Sequence, residues 1–292
     1  MKKFISTVLA LGMAVSLAAC GGSASTAAST ESTAASAAEA TADSDLAYIK
    51  NKGKMTIGYT VYEPMNYTDA DGNFTGFDTE LATAVCEKLG VEPDFVEINW
   101  DTKIVELDAK SIDCIWNGMC ITPEREENMS ISDPYLLNTQ AMVMKAEREE
   151  EIMADVNGYT VVAEQGSTGE GKLQGTIEDD DTVEVSAQEY FAGCTYIPVG
   201  SMANALLEVK SGTADIALVD SVCALGMVRP DSDYADLVVN MDNNFGDQFY
   251  GIAFRKGSDF TAMVNESIAK LKEDGTVAEL AEKYGLTDAL IQ

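Results

Sequence analysis

Two separated stretches spell the same construction. VELDAKSIDCIWN (105–117) and ALLEVKSGTADIALVD (205–220) each pass from a helical pattern through a Lys-Ser turn and an Asp into an apolar strand that ends on a polar residue. That residue is Asn117 in the first copy and Asp220 in the second. A chain that repeats such a unit is constrained to two similar α/β lobes, each a mixed, mostly parallel sheet flanked by helices. Open sheets of this kind take ligands beyond the carboxyl ends of their strands, which places Asn117 and Asp220 on the two walls of one interlobe cleft.

The flanking segments extend the pattern. KMTIGYTVY (54–62) and VEPDFVEI (91–98) read as strands, and Asp71-Gly72 between β-forming residues reads as a tight hairpin. DADGN (69–73) is no calcium loop, because its glycine comes too early and no distant glutamate follows. DTELATAVCEKLG (78–90) puts Leu81, Val85 and Leu89 on one helical face, with Asp78 as the expected N-cap and Gly90 as the stop. Asp101 is the expected cap of the next helix. GYTVVAEQG (158–166) opens the second unit. FYGIAFRKG (249–257) and two helices divided at Asp274-Gly275 read as a return to the first lobe. The expected divisions are 45–139 and 248–292 for lobe 1 and 140–247 for lobe 2, with hinge crossings near LLNTQ and GDQF.

Before these lobes, Lys2 and Lys3 precede FISTVLALGMAVSLAA, the pattern of a secretory signal over residues 1–19. LAACGG (17–22) resembles the lipobox of bacterial lipoproteins, which would make Cys20 the lipid-bearing residue. The Ala/Ser/Thr-rich segment 20–44 then reads as a tether, and two or more acyl chains would hold the protein stably on the outer face of the cell membrane. The whole chain carries a net charge of −30, which excludes nucleic acid as a partner. Acidic runs such as EREEE (147–151) and EDDD (178–181) read as solvated surface. The sequence holds no histidine, which removes Ser-His-Asp and Cys-His catalysis and imidazole metal sites. Cys86, Cys114, Cys120, Cys194 and Cys223 show no metal spacing and read as buried thiols, with Cys194 and Cys223 the one pair considered for a bridge.

Two readings of the chemistry compete. GSTGEGKL (166–173) nearly matches a phosphate-binding loop, but Leu173 stands where a hydroxyl must meet Mg²⁺. The other reading starts at NGMCITPER (117–125), where Arg125 lies in the first turn of a helix, against the helix dipole. A cation so placed calls for a compensating ligand. A zwitterionic α-amino acid would supply a carboxylate for Arg125 and an ammonium for Asp220.

GFDTELATAVCEKLG, NGMCITPER, SISDPY, ALVD and YGIAFRKG occur in the order found in solute-binding proteins for polar amino acids that serve ABC importers. The resemblance covers residues 46–286 and implies a type II periplasmic-binding-protein-like fold. It also implies capture of a free amino acid between the lobes and delivery to a membrane permease, by a monomer without cofactor or metal. By position, the carboxylate-binding arginine would be Arg125, supported by Thr122, with Thr168 contributing from the second lobe. The ammonium would meet Asp220 and the Gly118 carbonyl. Tyr62 and Trp100 would flank the side chain, with Asn117 on the same wall. Cys120 departs from the family's usual Thr or Ser, and a thiol is a weak donor. The acidic residue that precedes the first aromatic in members for basic ligands is missing around Thr60 and Val61, so a neutral or polar side chain is expected, although Glu164 could meet a polar or cationic one. Exported cyclohexadienyl dehydratases share the fold and form the enzymatic alternative.

Overall fold

The computed structural model describes residues 44–179 and 182–291. The signal segment, Cys20 and the tether up to residue 43 lie outside the described residues, as does part of the EDDD run. Ser44, expected at the end of the tether, instead caps the first helix, Asp45–Lys52, by accepting from the Ala47 N–H.

Among the described residues, twelve strands follow in chain order. They are β1 (Lys54–Tyr59), β2 (Tyr67–Thr68), β3 (Phe74–Thr75), β4 (Glu92–Glu97), β5 (Cys114–Cys120) and β6 (Met129–Ile131). The rest are β7 (Leu136–Lys145), β8 (Thr160–Glu164), β9 (Thr195–Val199), β10 (Ile216–Asp220), β11 (Leu237–Asn240) and β12 (Asp247–Arg255). The main sheet runs in the order β4-β1-β5-β12-β7-β10-β8-β9, with β6 added to β12 and β11 to β7. β4-β1-β5 and β10-β8-β9 are parallel, and β12 and β7 run antiparallel to their neighbours. The mixed, mostly parallel sheet expected from the sequence is therefore present in two halves.

The halves meet where β7 and β12 lie side by side, in the register Asp247↔Thr139 to Tyr250↔Leu136. Beyond that patch β7 pairs with β10 from Gln140 onward, and β12 pairs with β5 from Tyr250 onward. Each strand thus belongs to one half at one end and to the other half at the other.

The repeated sequence unit has a repeated physical cause. In the first copy the Asp113 carboxylate accepts from the Thr56 N–H at 2.7 Å while the Asp113 N–H donates to the Thr56 carbonyl at 2.7 Å. In the second, Asp215 exchanges the same two bonds with Thr160, at 2.9 and 3.0 Å. Each aspartate ties the start of a strand to its parallel neighbour. Asp113 also pairs with Lys52 and Arg255, and Asp215 with Arg148.

Three local expectations are corrected. Helix Phe77–Leu89 is preceded by Gly76 at its N-cap, with φ 130°, because a Cβ there would lie 2.1 Å from the Met65 carbonyl oxygen. Asp78 lies inside the helix and turns inward instead of capping. The cap expected of Asp101 comes from Asn99, whose side chain accepts from the Asp101 N–H at the 3-10 turn Trp100–Thr102. The Asp71-Gly72 hairpin forms between β2 and β3, but its turn spans Asp69 to Gly72, where the Gly72 N–H donates to the Asp69 carbonyl. All five described cysteines are free thiols, including Cys194 and Cys223.

Candidate functional site

β5 and β10 deliver the site from opposite halves of the sheet. β5 is buried along its whole length, and just past its end Thr122 caps the short helix Pro123–Asn128 by accepting from the Arg125 N–H at 3.2 Å. That cap fixes the backbone from which the Arg125 side chain turns back into the protein.

The Arg125 guanidinium is buried, and its contacts are neutral. Nη1 donates to the Cys120 carbonyl at 2.7 Å and to Thr168 Oγ1 at 3.4 Å, and Nη2 donates to the Gly166 carbonyl at 3.1 Å. Among the described residues no carboxylate pairs with it. Loss of water around the buried guanidinium lowers its pKa. Arg125 is a buried cation whose hydrogen-bond partners are all neutral.

Asp220, at the end of β10, is the opposite charge. It is buried, accepts from Gln140 Nε2 at 2.5 Å and from the Tyr250 hydroxyl at 2.7 Å, and burial raises its pKa. The Tyr250 hydroxyl in turn meets that of Tyr62 at 2.5 Å.

Tyr62, Trp100, Asn117, Gly118, Cys120, Arg125, Thr168 and Asp220 line one small cavity, together with Glu164, Ser167 and Met202. Thr122 does not line it and acts through the backbone of Arg125. The space left is about 10 Å³, room for about one water. A solute enters only when the walls separate. Outward of it, a cleft of about 250 Å³ continues past Lys103, Thr122, Glu170 and Gln174.

One residue meets the site differently from the sequence expectation, and two others shape its wall. The Asn117 side chain is fully engaged on its own wall: Oδ1 accepts from the N–H and hydroxyl of Thr60, and Nδ2 donates to the Thr60 carbonyl and Asn66 Oδ1. It braces the cavity and has no group left for a solute. Gly118 has φ 56°, and a Cβ there would lie 2.8 Å from the Tyr62 ring, so the wall closes only over a glycine. The Cys120 thiol donates to Gln248 Oε1 at 3.0 Å in the hinge and lies 3.9 Å from Asp220 Oδ2 in the cavity, with its pKa raised by burial.

Other groups were missed from the sequence. Asp78 accepts from the Gly118 N–H at 2.7 Å and from the Tyr135 hydroxyl at 3.0 Å, and burial raises its pKa to about 7. Lys103 is buried, lies 4.9 Å over the Trp100 ring, and donates to the carbonyls of Trp100 and Gly166 at 2.9 Å each. Burial lowers its pKa to about 7, and nearby Arg125 adds to the effect. Lys103 opens a helix, Lys103–Asp108, so the dipole argument that singled out Arg125 applied to it as well. At the end of β8, Glu164 is 2% exposed, and its carboxyl makes no hydrogen bond to any described residue. Burial, reinforced by Asp220, raises its pKa to about 8.

The sequence model of the bacterial extracellular solute-binding proteins, family 3, matches residues 55–287. The arginine-binding extracellular protein ArtP of Bacillus subtilis is 27% identical over 97% of this chain and 98% of its own length. The L-cystine-binding protein TcyA of the same organism is 30% identical over 95% and 96%. Among solved structures, an ABC uptake transporter substrate-binding protein from Streptococcus pneumoniae with bound histidine superposes with a TM-score of 0.75 at 27% identity, over 86% of this chain and 100% of its own. With its fold matched by the Streptococcus structure and the family model covering most of its length, this chain belongs to the bacterial extracellular solute-binding proteins of family 3.

Proposed function

We propose that the chain captures a free α-amino acid between its two lobes and presents it to the membrane permease of an ABC importer. The observation that carries this reading is the pair of buried, opposite and mutually unpaired charges, Arg125 and Asp220, on either side of one cavity. Arg125 takes the α-carboxylate bidentately with Thr168 beside it, and Asp220 with the Gly118 carbonyl takes the ammonium. Tyr62 and Trp100 flank the side chain. Asn117, Cys120 and Thr122 shape and support the walls.

The lobes are assigned as residues 45–139 with 248–292, and 140–247. The change of partner along β7 at Gln140 and along β12 near Tyr250 supports this division. Closure brings Arg125 and Asp220 onto one solute, and a closed form is what a permease can read. We further assign the chain as a monomer held to the outer face of the membrane by lipid on Cys20. Among the described residues no helix is long and apolar enough to cross a membrane. Binding without turnover is the reading proposed, supported by relatives named for binding and by a sequence without histidine. Turnover of arogenate would overturn it.

The decisive experiment is a thermal-shift panel of free amino acids on protein unfolded and refolded to strip carried-over solute. Binding to the native state alone stabilises by about 2.7 kcal/mol at a hundredfold excess over Kd. One strong responder, lost in Arg125→Ala and in Asp220→Ala, supports the reading. Binding that survives both substitutions sinks it.

A further inference from the structure

A zwitterionic head accounts for Arg125 and Asp220 and leaves one charged group of the cavity without a role. Glu164 is buried at the end of β8, lines the same space, and has Oε1 cut off from water with no partner. Buried carboxyl oxygens are hydrogen-bonded in the great majority of proteins, and one left bare weakens the fold that contains it. The groups whose charges reach it are Asp220 from β10, Lys103 from helix Lys103–Asp108 and Arg125 from helix Pro123–Asn128. Neither cation satisfies it, because Lys103 donates to the Trp100 and Gly166 carbonyls and Arg125 to Cys120, Gly166 and Thr168.

Its place fits a role toward the solute. β8 lies beside β10 in parallel, so at the backbone Glu164 stands roughly one strand spacing, about 5 Å, from the strand end that carries Asp220. An amino acid whose ammonium rests on Asp220 would extend its side chain past Glu164 and Trp100. We propose that Glu164 reads that side chain and selects amino acids whose side chain ends in a hydrogen-bond-donating nitrogen. This rests on the amino-acid reading of the cavity and departs from the neutral side chain suggested by Thr60 and Val61. The acceptor stands on the second lobe instead of before the first aromatic, and it admits cationic as well as amide ends. An apolar side chain would keep Glu164 buried and unpaired, and sites that bury an unmatched polar group reject such ligands strongly.

The test is isothermal titration calorimetry of the refolded full chain with arginine, lysine, histidine, glutamine and cystine against norleucine and methionine. It is run on the parent, Glu164→Leu and Glu164→Gln, after each variant's melting curve shows that it folds. At least one nitrogen-ended solute is expected to bind the parent 100-fold or more tightly than norleucine. Glu164→Leu should cut that ratio at least 10-fold, whereas Glu164→Gln, which keeps an acceptor oxygen, should retain most of it. A structural role would weaken all solutes alike and leave the ratio unchanged, which overturns the proposal, as does tightest binding of norleucine or methionine. If Glu164→Leu fails to fold, Glu164→Met, of similar length and without an acceptor oxygen, takes its place with the same expected loss. Silence with every amino acid defeats the amino-acid reading itself, and this inference with it.

Discussion

The carbonyl oxygen of Gly166 receives both buried cations of the opposite wall, Lys103 Nζ at 2.9 Å and Arg125 Nη2 at 3.1 Å. Gly166 has φ 72°, and a Cβ there would lie 3.1 Å from the Asp101 Cα, so the two walls are as close at this point as a glycine permits. One backbone oxygen therefore joins the halves of the sheet on the cleft side, far from the hinge strands. Arg125 is also needed by a solute, whereas Lys103 is free to act as a latch.

Lys103→Met removes the latch and keeps most of the apolar stem over Trp100. Below about pH 7, where Lys103 carries its charge, a hydrogen bond from a charged group contributes about 1.5–3 kcal/mol, so at about pH 6 the equilibrium between closed and open forms should move about 10-fold or more toward open. Interlobe distance measured by spin labels on the solute-free protein should lengthen on average. An unchanged distance distribution would show that Lys103 does not hold the walls.

Cys120 gives a second outcome. Its thiol donates mainly to Gln248 in the hinge, where Asn138 Nδ2 and Gln140 Nε2 also donate to the same oxygen, and lies farther, at 3.9 Å, from Asp220, which keeps its bonds to Gln140 and Tyr250. Cys120→Ser is therefore expected to leave solute affinity within about 3-fold of the parent, because the hydroxyl inherits the hinge partner and stability changes by less than about 1.5 kcal/mol. Calorimetric titration checks this, and a gain of 10-fold or more would mean that the side chain at 120 reaches the solute.

Much of this architecture was legible in the sequence, for a stated reason. The repeat carries its own cause, the Asp113 and Asp215 bonds to neighbouring strands, and apolar runs ending in polar residues mark strand ends at a cleft. Arg125 and Asp220 stand out because each is a charge where local structure gives no reason for one. Lys103 gave the same signal at Lys103–Asp108, masked by the ordinary look of an amphipathic helix. Asp78 was misread because an aspartate near a helix start satisfies the capping pattern equally well, and only the tertiary approach of Gly118 and Tyr135 turns it inward. The full engagement of Asn117 on Thr60 and Asn66 was not legible, since it depends on a loop folding back from β1.

The paired aspartates predict an asymmetry in stability. The Asp113 side chain is fully buried against Lys52 and Arg255, whereas the side chains of Asp215 and Arg148 are 25% and 33% exposed. Asp113→Ala leaves the Thr56 N–H unpaired in the interior and takes the carboxylate from half-buried Lys52, while Arg255 keeps Asp45, a loss of about 2–4 kcal/mol. Asp215→Ala should cost about 1–2 kcal/mol, because water can reach its partners. Urea unfolding of both variants measures the difference, and equal losses would show that burial of the pair does not set the cost.

Asp78 sets the sign of the pH dependence. Its folded pKa is raised to about 7, while the unfolded carboxyl titrates near 4. Between those values the folded protein holds a proton that the unfolded chain has released, so stability falls as pH rises, by up to about 1.4 kcal/mol per pH unit. Glu164, raised to about 8, acts in the same direction up to that pH. Lys103 is opposite in sign: lowered to about 7, it adds stability as pH rises above that value toward its unfolded pKa. The net decline should therefore be steepest between about pH 5 and 7. Asp78→Asn removes one titration while its amide oxygen can still accept from Gly118 and Tyr135. Its solute-free stability should depend less on pH than the parent's, and the two curves should converge or cross in the variant's favour toward pH 8. Parallel curves from pH 5 to 8 would show that Asp78 ionises in the folded protein at the same pH as in the unfolded chain.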